Sequence, residues 1–126
     1  MAPMAHAELA GTAYTEAVVV TGAGEHTTPS NPLNVQIAEY LNLTVNTTGA
    51  GAGDTDDIVI YLEGKGVQGR WNTGRPIPIA FPVFGTTATD SAEVIDVRAY
   101  QEVRVGKIAN PNSGAVTVNV YGDFKA

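Results

Sequence analysis

Gly64-Lys65-Gly66-Val67-Gln68-Gly69 has the G-x-G-x-x-G spacing of a dinucleotide-binding turn and follows an apolar run, IVIYLE. That chemistry needs a helix to open behind the glycines, because the pyrophosphate sits on helix N-terminal amides. Here Arg70-Trp71-Asn72-Thr73-Gly74-Arg75-Pro76 follows, and Gly74 and Pro76 interrupt a helix, so the run predicts a glycine-rich hairpin. Asp54, Asp56 and Asp57 lie close together in GAGDTDDIV. Carboxylates in a loop can hold calcium, but the spaced third ligand and closing glutamate of an EF-hand are missing. The expectation is a solvated hairpin tip, with calcium the one metal to test. No cofactor is assigned.

His6 and His26 are the two histidines and cysteine is absent, too few ligands for an ordinary zinc site. Ser30, Ser91 and Ser113 all lie in Pro/Asn/Gly turn chemistry and none in a G-x-S-x-G elbow, so they read as turn residues. Glu16, Glu39, Glu63, Glu93 and Glu102 are available for the paired-carboxylate chemistry of glycoside hydrolysis. Glu39 breaks an otherwise apolar phase; a bulge that turns it outward, or a partner such as Arg98 or Arg104, accounts for it. Arg70, Trp71 and Arg75 form an aromatic–cationic cluster that could stack on a sugar or anchor a protein contact, and core packing of Trp71 is the plainer alternative. Asn42-Leu43-Thr44 and Asn46-Thr47-Thr48 spell glycosylation sequons but read as the polar face of a strand. The expectation is that the protein is not an enzyme.

The elements that must position these residues follow a period of two. From Leu33 to Val45 the odd positions are apolar except Glu39, and the even ones run Asn34, Gln36, Ala38, Tyr40, Asn42, Thr44. That is long for one strand, so two strands, or one with a bulge near Glu39, are expected. Ile77, Ile79, Phe81 and Val83 share a phase opposite Pro76, Pro78 and Pro82, and the prolines predict an edge or bulged strand. Ile95 to Val105 and Val116 to Val120 alternate likewise, and Thr12 to Val20 makes a first strand. Ile58 to Leu62 is apolar throughout and reads as a strand covered on both faces. TDSAEVIDV has room for one helical turn. Turn signals separate the runs: GAGEHTTPSNP, TTGAGAGDTDD, GKG, NTGRP, FGTTATDS and ANPNSGA. The reading is all-β, an antiparallel β-sandwich or small barrel. Residues 1–11, Ala-rich and without a strand pattern, read as a frayed terminus or as an extended N-terminal arm that orders only against a neighbouring subunit, and residues 12–126 as a single domain.

The chain has 126 residues, enough for one core. Seven Lys+Arg face 13 Asp+Glu, giving a net charge of −6. Nucleic-acid binding and anionic membranes both draw on clustered cations, so neither partner is expected. No apolar stretch has the length of a membrane span, and MAPMAHAELAG lacks the basic n-region of a signal peptide, so synthesis in the cytoplasm is expected.

The tail YQEVRVGKIANPNSGAVTVNVYGDF resembles the closing hairpin of small β-sandwich proteins in tailed-bacteriophage virions. The whole chain is similar in length, acidity and lack of cysteine to the small jelly-roll cement (decoration) proteins on capsids of short-tailed phages. That resemblance implies a jelly-roll-like sandwich of about eight strands, and a homodimer or homotrimer seated on the outer capsid surface of the virion, with the major capsid protein as partner and a structural, shell-bracing role. It transfers no site residue. Physical reasoning places candidate protein contacts at Arg70, Trp71 and Arg75, and along the edge strand at Ile77, Ile79 and Phe81, where subunits would pair. A carbohydrate-binding β-sandwich module, with Trp71 as platform and Asp54–Asp57 as a calcium seat, is the alternative; a small hydrolase is the third reading.

Overall fold

The computed structural model of the chain describes residues 11, 12 and 17–124. Of the expected arm, residues 1–10 lie outside the described residues, as do His6, Glu16 and part of the first expected strand; Gly11 is paired in a sheet. Ten strand segments follow in order: β1 (Gly11–Thr12), β2 (Val18–Val20), β3 (Gly24–His26), β4 (Leu33–Asn34), β5 (Tyr40–Gly49), β6 (Ile58–Lys65), β7 (Ile77–Phe81), β8 (Thr89–Asp96), β9 (Glu102–Asn110) and β10 (Val116–Asp123). The described residues contain no helix.

All pairings between these strands are antiparallel, and they form two sheets. In sheet A the order is β1/β2, β10, β5, β8; in sheet B it is β3/β4, β9, β6, β7. Because β1 and β2 share one side of β10, and β3 and β4 one side of β9, the ten segments fill eight positions. Numbered by position the sheets read 1-8-3-6 and 2-7-4-5, the double Greek-key winding of a jelly roll. The all-β sandwich read from the alternation is the observed fold.

The period of two explains the core. Leu41, Leu43 and Val45 of β5, Ile58, Ile60 and Leu62 of β6, and Val116, Val118 and Val120 of β10 point between the sheets and are no more than 1% exposed. Each buried side chain of this kind contributes about 1.5–3 kcal/mol. On β9 the inward phase changes midway. Tyr61 faces Lys107 but Leu62 faces Val105, so Gly106 is an extra residue, and the inward set passes from Val103 and Val105 to Ile108 and Asn110. A Cβ at Gly106 would run into the Glu63 side chain, which would have to move from its place beside Arg104.

Three expectations change in detail. The run from Leu33 to Val45 is two strands in different sheets, with a turn between them closed by the Ala38 N–H donating to the Val35 carbonyl at 3.0 Å. IVIYL is covered on one face only: Val59 and Tyr61 of β6 are half-buried on the outer side, because a two-layer sandwich buries one face of each sheet. TDSAEVID holds no helical turn; it is β8, a full strand paired residue for residue with β5. Only Ile95 of that strand is buried, so the period that marks the other strands is absent from it.

Candidate functional site

One end of the sandwich gathers the loops β2–β3, β5–β6, β7–β8 and β9–β10, and Asp54 binds them. Its side chain is buried, not solvated as the aspartate spacing suggested. Oδ2 accepts the N–H groups of Ala50 at 3.1 Å and Gly51 at 2.8 Å, and Oδ1 accepts that of Gly114 at 3.0 Å. Both carboxylate oxygens are therefore spent on backbone donors, a nest for an anion filled by the chain's own aspartate. Asp56 and Asp57 are exposed beside it. No three His or acidic side chains converge among the described residues.

The neighbouring Asn110 and Asn112 complete this clamp and were read from the sequence only as a turn. Asn110, 2% exposed, donates from Nδ2 to the carbonyls of Val20, Thr21 and Gly114 at 3.1, 3.2 and 3.0 Å. Its Oδ1 accepts from the Asn112 backbone and side chain, both at 3.0 Å. Asn112 then donates to the Asp56 carbonyl and accepts the Asp56 N–H, each at 2.8 Å. Side-chain amides suit the place because each offers donors and acceptors at once. The network is polar, buried and satisfied, and it fixes loop positions in a way that apolar contacts do not.

On the outer face of sheet B, Trp71 sits at the head of a row of charges. The Arg104 guanidinium lies 4.1 Å and the Lys65 ammonium 5.2 Å from the ring centroid. Arg104 Nε also donates to Glu63 Oε1 at 2.8 Å, and Lys65 pairs with Glu102. Lys107 covers Tyr61 at 4.4 Å and reaches Glu25 at 3.3 Å. β9 and β6 bring these partners opposite one another, Glu102 to Lys65, Arg104 to Glu63 and Lys107 to Tyr61. The sequence grouped Trp71 with Arg70 and Arg75; both arginines are exposed, and the cations on the ring come from strands instead. The missed signal was the outward phase of EVRVGK, which alternates with the inward valines.

The remaining candidates separate. Gly64 lies under the Tyr100 ring, and Gly69, at φ 77°, donates to the Gly66 carbonyl at 2.9 Å, so the G-x-G-x-x-G run is the expected hairpin. Ser30 splices β3 to β4: its Oγ accepts the Val105 N–H at 2.8 Å while its own N–H donates to the Val105 carbonyl at 2.9 Å. Glu39 faces out just before β5; Arg98 pairs with Asp96 and is drawn more weakly to Glu39 as well, while Arg104 pairs with Glu63. His26 lies on β3, half-buried, Ser91 and Glu93 on β8, and Ser113 exposed in the β9–β10 loop.

The proline strand β7 is an edge of sheet B. Ile79 and Phe81 are core residues, so their side chains present nothing to a partner, and Ile77 packs partly against the same core. The backbone edge is also poor for pairing. Pro78 faces Tyr61 and has no N–H, so the bonded pairs are its neighbours, and the amide positions pointing away from β6 are 76, 78, 80 and 82. Three of these are proline, leaving Ala80 as the single outward donor.

The outer face of sheet A is different in kind. Thr48, Thr117 and Val19 stand in one row, Asn46 and Asn119 in the next, Thr44 and Tyr121 in a third. Tyr40, Val94, Val19 and Tyr121 are exposed. No lysine or arginine projects from its strands, but Asp90, Asp96 and Asp123 do, and the Arg98 guanidinium lies 5.5 Å from the Tyr40 ring centroid.

These features define a jelly-roll β-sandwich with one face of paired charges, one Asn/Thr face rimmed by carboxylates and a clamped loop end. No protein-family model and no characterised protein sequence matches the chain. Among solved structures it is similar to the enzymatically active domain of tailspike protein 4 of bacteriophage CBA120, at 14% identity and a TM-score of 0.50. That likeness covers 94% of this chain and 19% of the tailspike chain, so the protein spans about a fifth of the length of its neighbour. It is also similar to a family 16 carbohydrate-binding module, at 13% identity and a TM-score of 0.40, over 89% of this chain and 75% of that one. At 14% identity the tailspike likeness is one of fold.

Proposed function

We propose that the protein is a non-catalytic structural component of a bacteriophage particle, which braces a capsid shell from outside by docking on the major capsid protein. The observation that carries this reading is the centre of the outer face of sheet A, where exposed Val19, Val94 and Tyr121 stand among Asn and Thr, with Asp90, Asp96 and Asp123 at its margins. Such a centre carries no charge to desolvate, and its polar rim offers hydrogen-bonding groups, as protein contacts do. Four strand positions of eight residues span roughly 500 Å² by strand spacing and rise. That falls below the ~800 Å² per partner of a standard interface. One copy alone would hold weakly, and copies linked as a dimer or trimer would hold by avidity. The phage setting comes from the resemblance of the tail hairpin; the tailspike likeness supports the fold.

Several chemistry-bearing side chains are engaged. Asp54 holds backbone amides, Glu63 and Glu102 hold cations, and the Ser30 oxygen closes a strand splice. Trp71 carries the Arg104 guanidinium at stacking distance, and a sugar would have to displace it. That favours the structural role over the glycan-binding alternative.

The test is sedimentation with purified shells that lack the protein. It should co-sediment at a fixed ratio to the major shell protein and raise the disruption temperature of expanded shells. Thr44→Arg, at the centre of the sheet A face, should abolish binding without unfolding the protein, and Trp71→Ala should leave it intact. Shells that neither bind the protein nor gain strength would end this reading. Saturable sugar binding lost in Trp71→Ala would replace it with the alternative.

A further inference from the structure

A sandwich has four strand edges, and in this protein three of them are spoiled for further pairing. The β7 edge has prolines at three of its four outward amide positions. The β1/β2 edge is two short pieces out of register with each other: Gly11 faces Gly122, whereas Val18 faces Val118. The β3/β4 edge is likewise broken, with His26 facing Ile108 and Leu33 facing Val103. Short, slipped and proline-bearing edges are how proteins avoid templating another strand.

The β8 edge has none of these defences. Its eight residues run unbroken from Thr89 to Asp96, all in one register with β5, and contain no proline. The Val97 N–H donates to the Glu39 carbonyl at 2.9 Å, in step with that register. Antiparallel pairs alternate, so the bonded pairs are Leu41–Ile95, Leu43–Glu93 and Val45–Ser91. The N–H and C=O groups of Asp90, Ala92, Val94 and Asp96 therefore point away from the sheet, and all four residues are exposed. This is a complete donor and acceptor row.

The side chains along it select what can pair. Asp90, Glu93 and Asp96 place three carboxylates on one strand, and only Asp96 has a cation, Arg98, at 2.6 Å. A second copy laid antiparallel on β8 in its fullest register, centred on Glu93, would set Asp90 against Asp96 and Glu93 against its own copy, which is unfavourable across a strand pair. A strand bearing lysine or arginine meets attraction on both faces. Asp90 and Asp96 lie on the outer side, and Glu93 shares the inward side with Ile95.

We infer that the free edge of β8 is a binding site for an extended, basic segment of another protein, which adds to sheet A as a further strand. Main-chain bonds to Ala92 and Val94 hold it, and the carboxylates choose it. The inference does not depend on the shell-bracing role, and its test uses no shell.

The probe is the blocked peptide acetyl-Lys-Val-Lys-Val-Lys-Val-Lys-amide, titrated into the isotope-labelled protein, with the peptide carrying Glu in place of each Lys as control. The amide resonances of Asp90, Ala92, Val94 and Asp96 should shift saturably and gain protection from hydrogen exchange with the lysine peptide alone. Ala92→Pro removes one outward donor and leaves the bonds to β5, and should weaken binding about tenfold or more. Should that variant disturb the β5 ladder, Glu93→Gln with Asp90→Asn carries the test, lowering affinity and its salt sensitivity. The inference is overturned if the lysine peptide does not bind, if its shifts map elsewhere, if both peptides bind alike, or if Ala92→Pro folds and binds unchanged. It is equally overturned if the protein alone forms a concentration-dependent dimer that protects these four amides, since the edge would then belong to a second copy.

Discussion

Replacing Asp54 tests whether its carboxylate is a clamp or a ligand site. In Asp54→Ala the amides of Ala50, Gly51 and Gly114 lose acceptors at 3.1, 2.8 and 3.0 Å. A hydrogen bond to a charged acceptor contributes about 1.5–3 kcal/mol. Ala50 is exposed and water can replace the acceptor there, so two bonds at the low end give a loss of about 3 kcal/mol. That is a large part of the ~5–15 kcal/mol that holds a domain together. At roughly 4 °C per kcal/mol for a chain of this size, the melting temperature should fall by about 12 °C. Urea and thermal unfolding followed by circular dichroism measure both quantities. Asp56→Ala and Asp57→Ala, at exposed positions, should stay within about 0.5 kcal/mol of the parent. The reasoning fails if Asp54→Ala unfolds at the same urea midpoint as Asp57→Ala. It fails in another way if calcium raises the parent's melting temperature and Asp54→Ala abolishes the effect, because the carboxylate would then be a metal ligand.

Asn112→Ala severs both side-chain bonds to the Asp56 backbone, and should cost about 2 kcal/mol in urea unfolding while leaving sheet content unchanged. Arg104→Ala strips a cation from Trp71 and leaves Glu63, whose side chain is 13% exposed, without its partner, so a loss of about 2 kcal/mol and a shifted Trp71 emission maximum are expected. Ala23 sits at φ 48°, a conformation that costs a side chain about 1–2 kcal/mol, so Ala23→Gly should raise stability by about 0.5 kcal/mol after its own entropy cost; a loss would mean the Ala23 side chain contributes packing. The Arg98 side chain, through its hydrogen bonds, holds the Asp96 carboxyl down to about 2 from 3.8. A depressed carboxyl contributes its stability above the unfolded value and loses it as pH falls through the folded one, so this pair acts above pH 3.8 and fades toward pH 2. Carboxyl NMR titration should return Asp96 toward 3.8 in Arg98→Ala, and an unmoved midpoint would refute the pairing.

Strands that bury one full side were readable because alternation is a direct imprint of a two-sided ribbon. Leu41 to Val45 and Val116 to Val120 show it, whereas Ile58 to Leu62, apolar throughout, marked a strand without marking the face it buries. β8 was not readable, because at the rim of the sandwich its inward positions Ser91 and Glu93 run off the core, and pairing with β5 alone makes it a strand. Asp54 misled for a related reason. Three aspartates in a glycine-rich loop look solvated, and the residue that buries one of them, Gly114, is far along the chain. Trp71 read more plainly as a core residue, but it lies half-buried on the outer face, and the cations on it are Arg104 and Lys65 of adjacent strands in place of its sequence neighbours Arg70 and Arg75.

Residue order alone determined the class of fold, the positions of most turns and the inward-facing residues, since those follow from spacing within a few residues of one another. Tertiary structure decided which strands became edges, which carboxylates were consumed and which stayed free, and which cation lies on the tryptophan. Those outcomes depend on contacts between residues tens of positions apart, and a chain's local pattern carries no record of what its register will bring opposite.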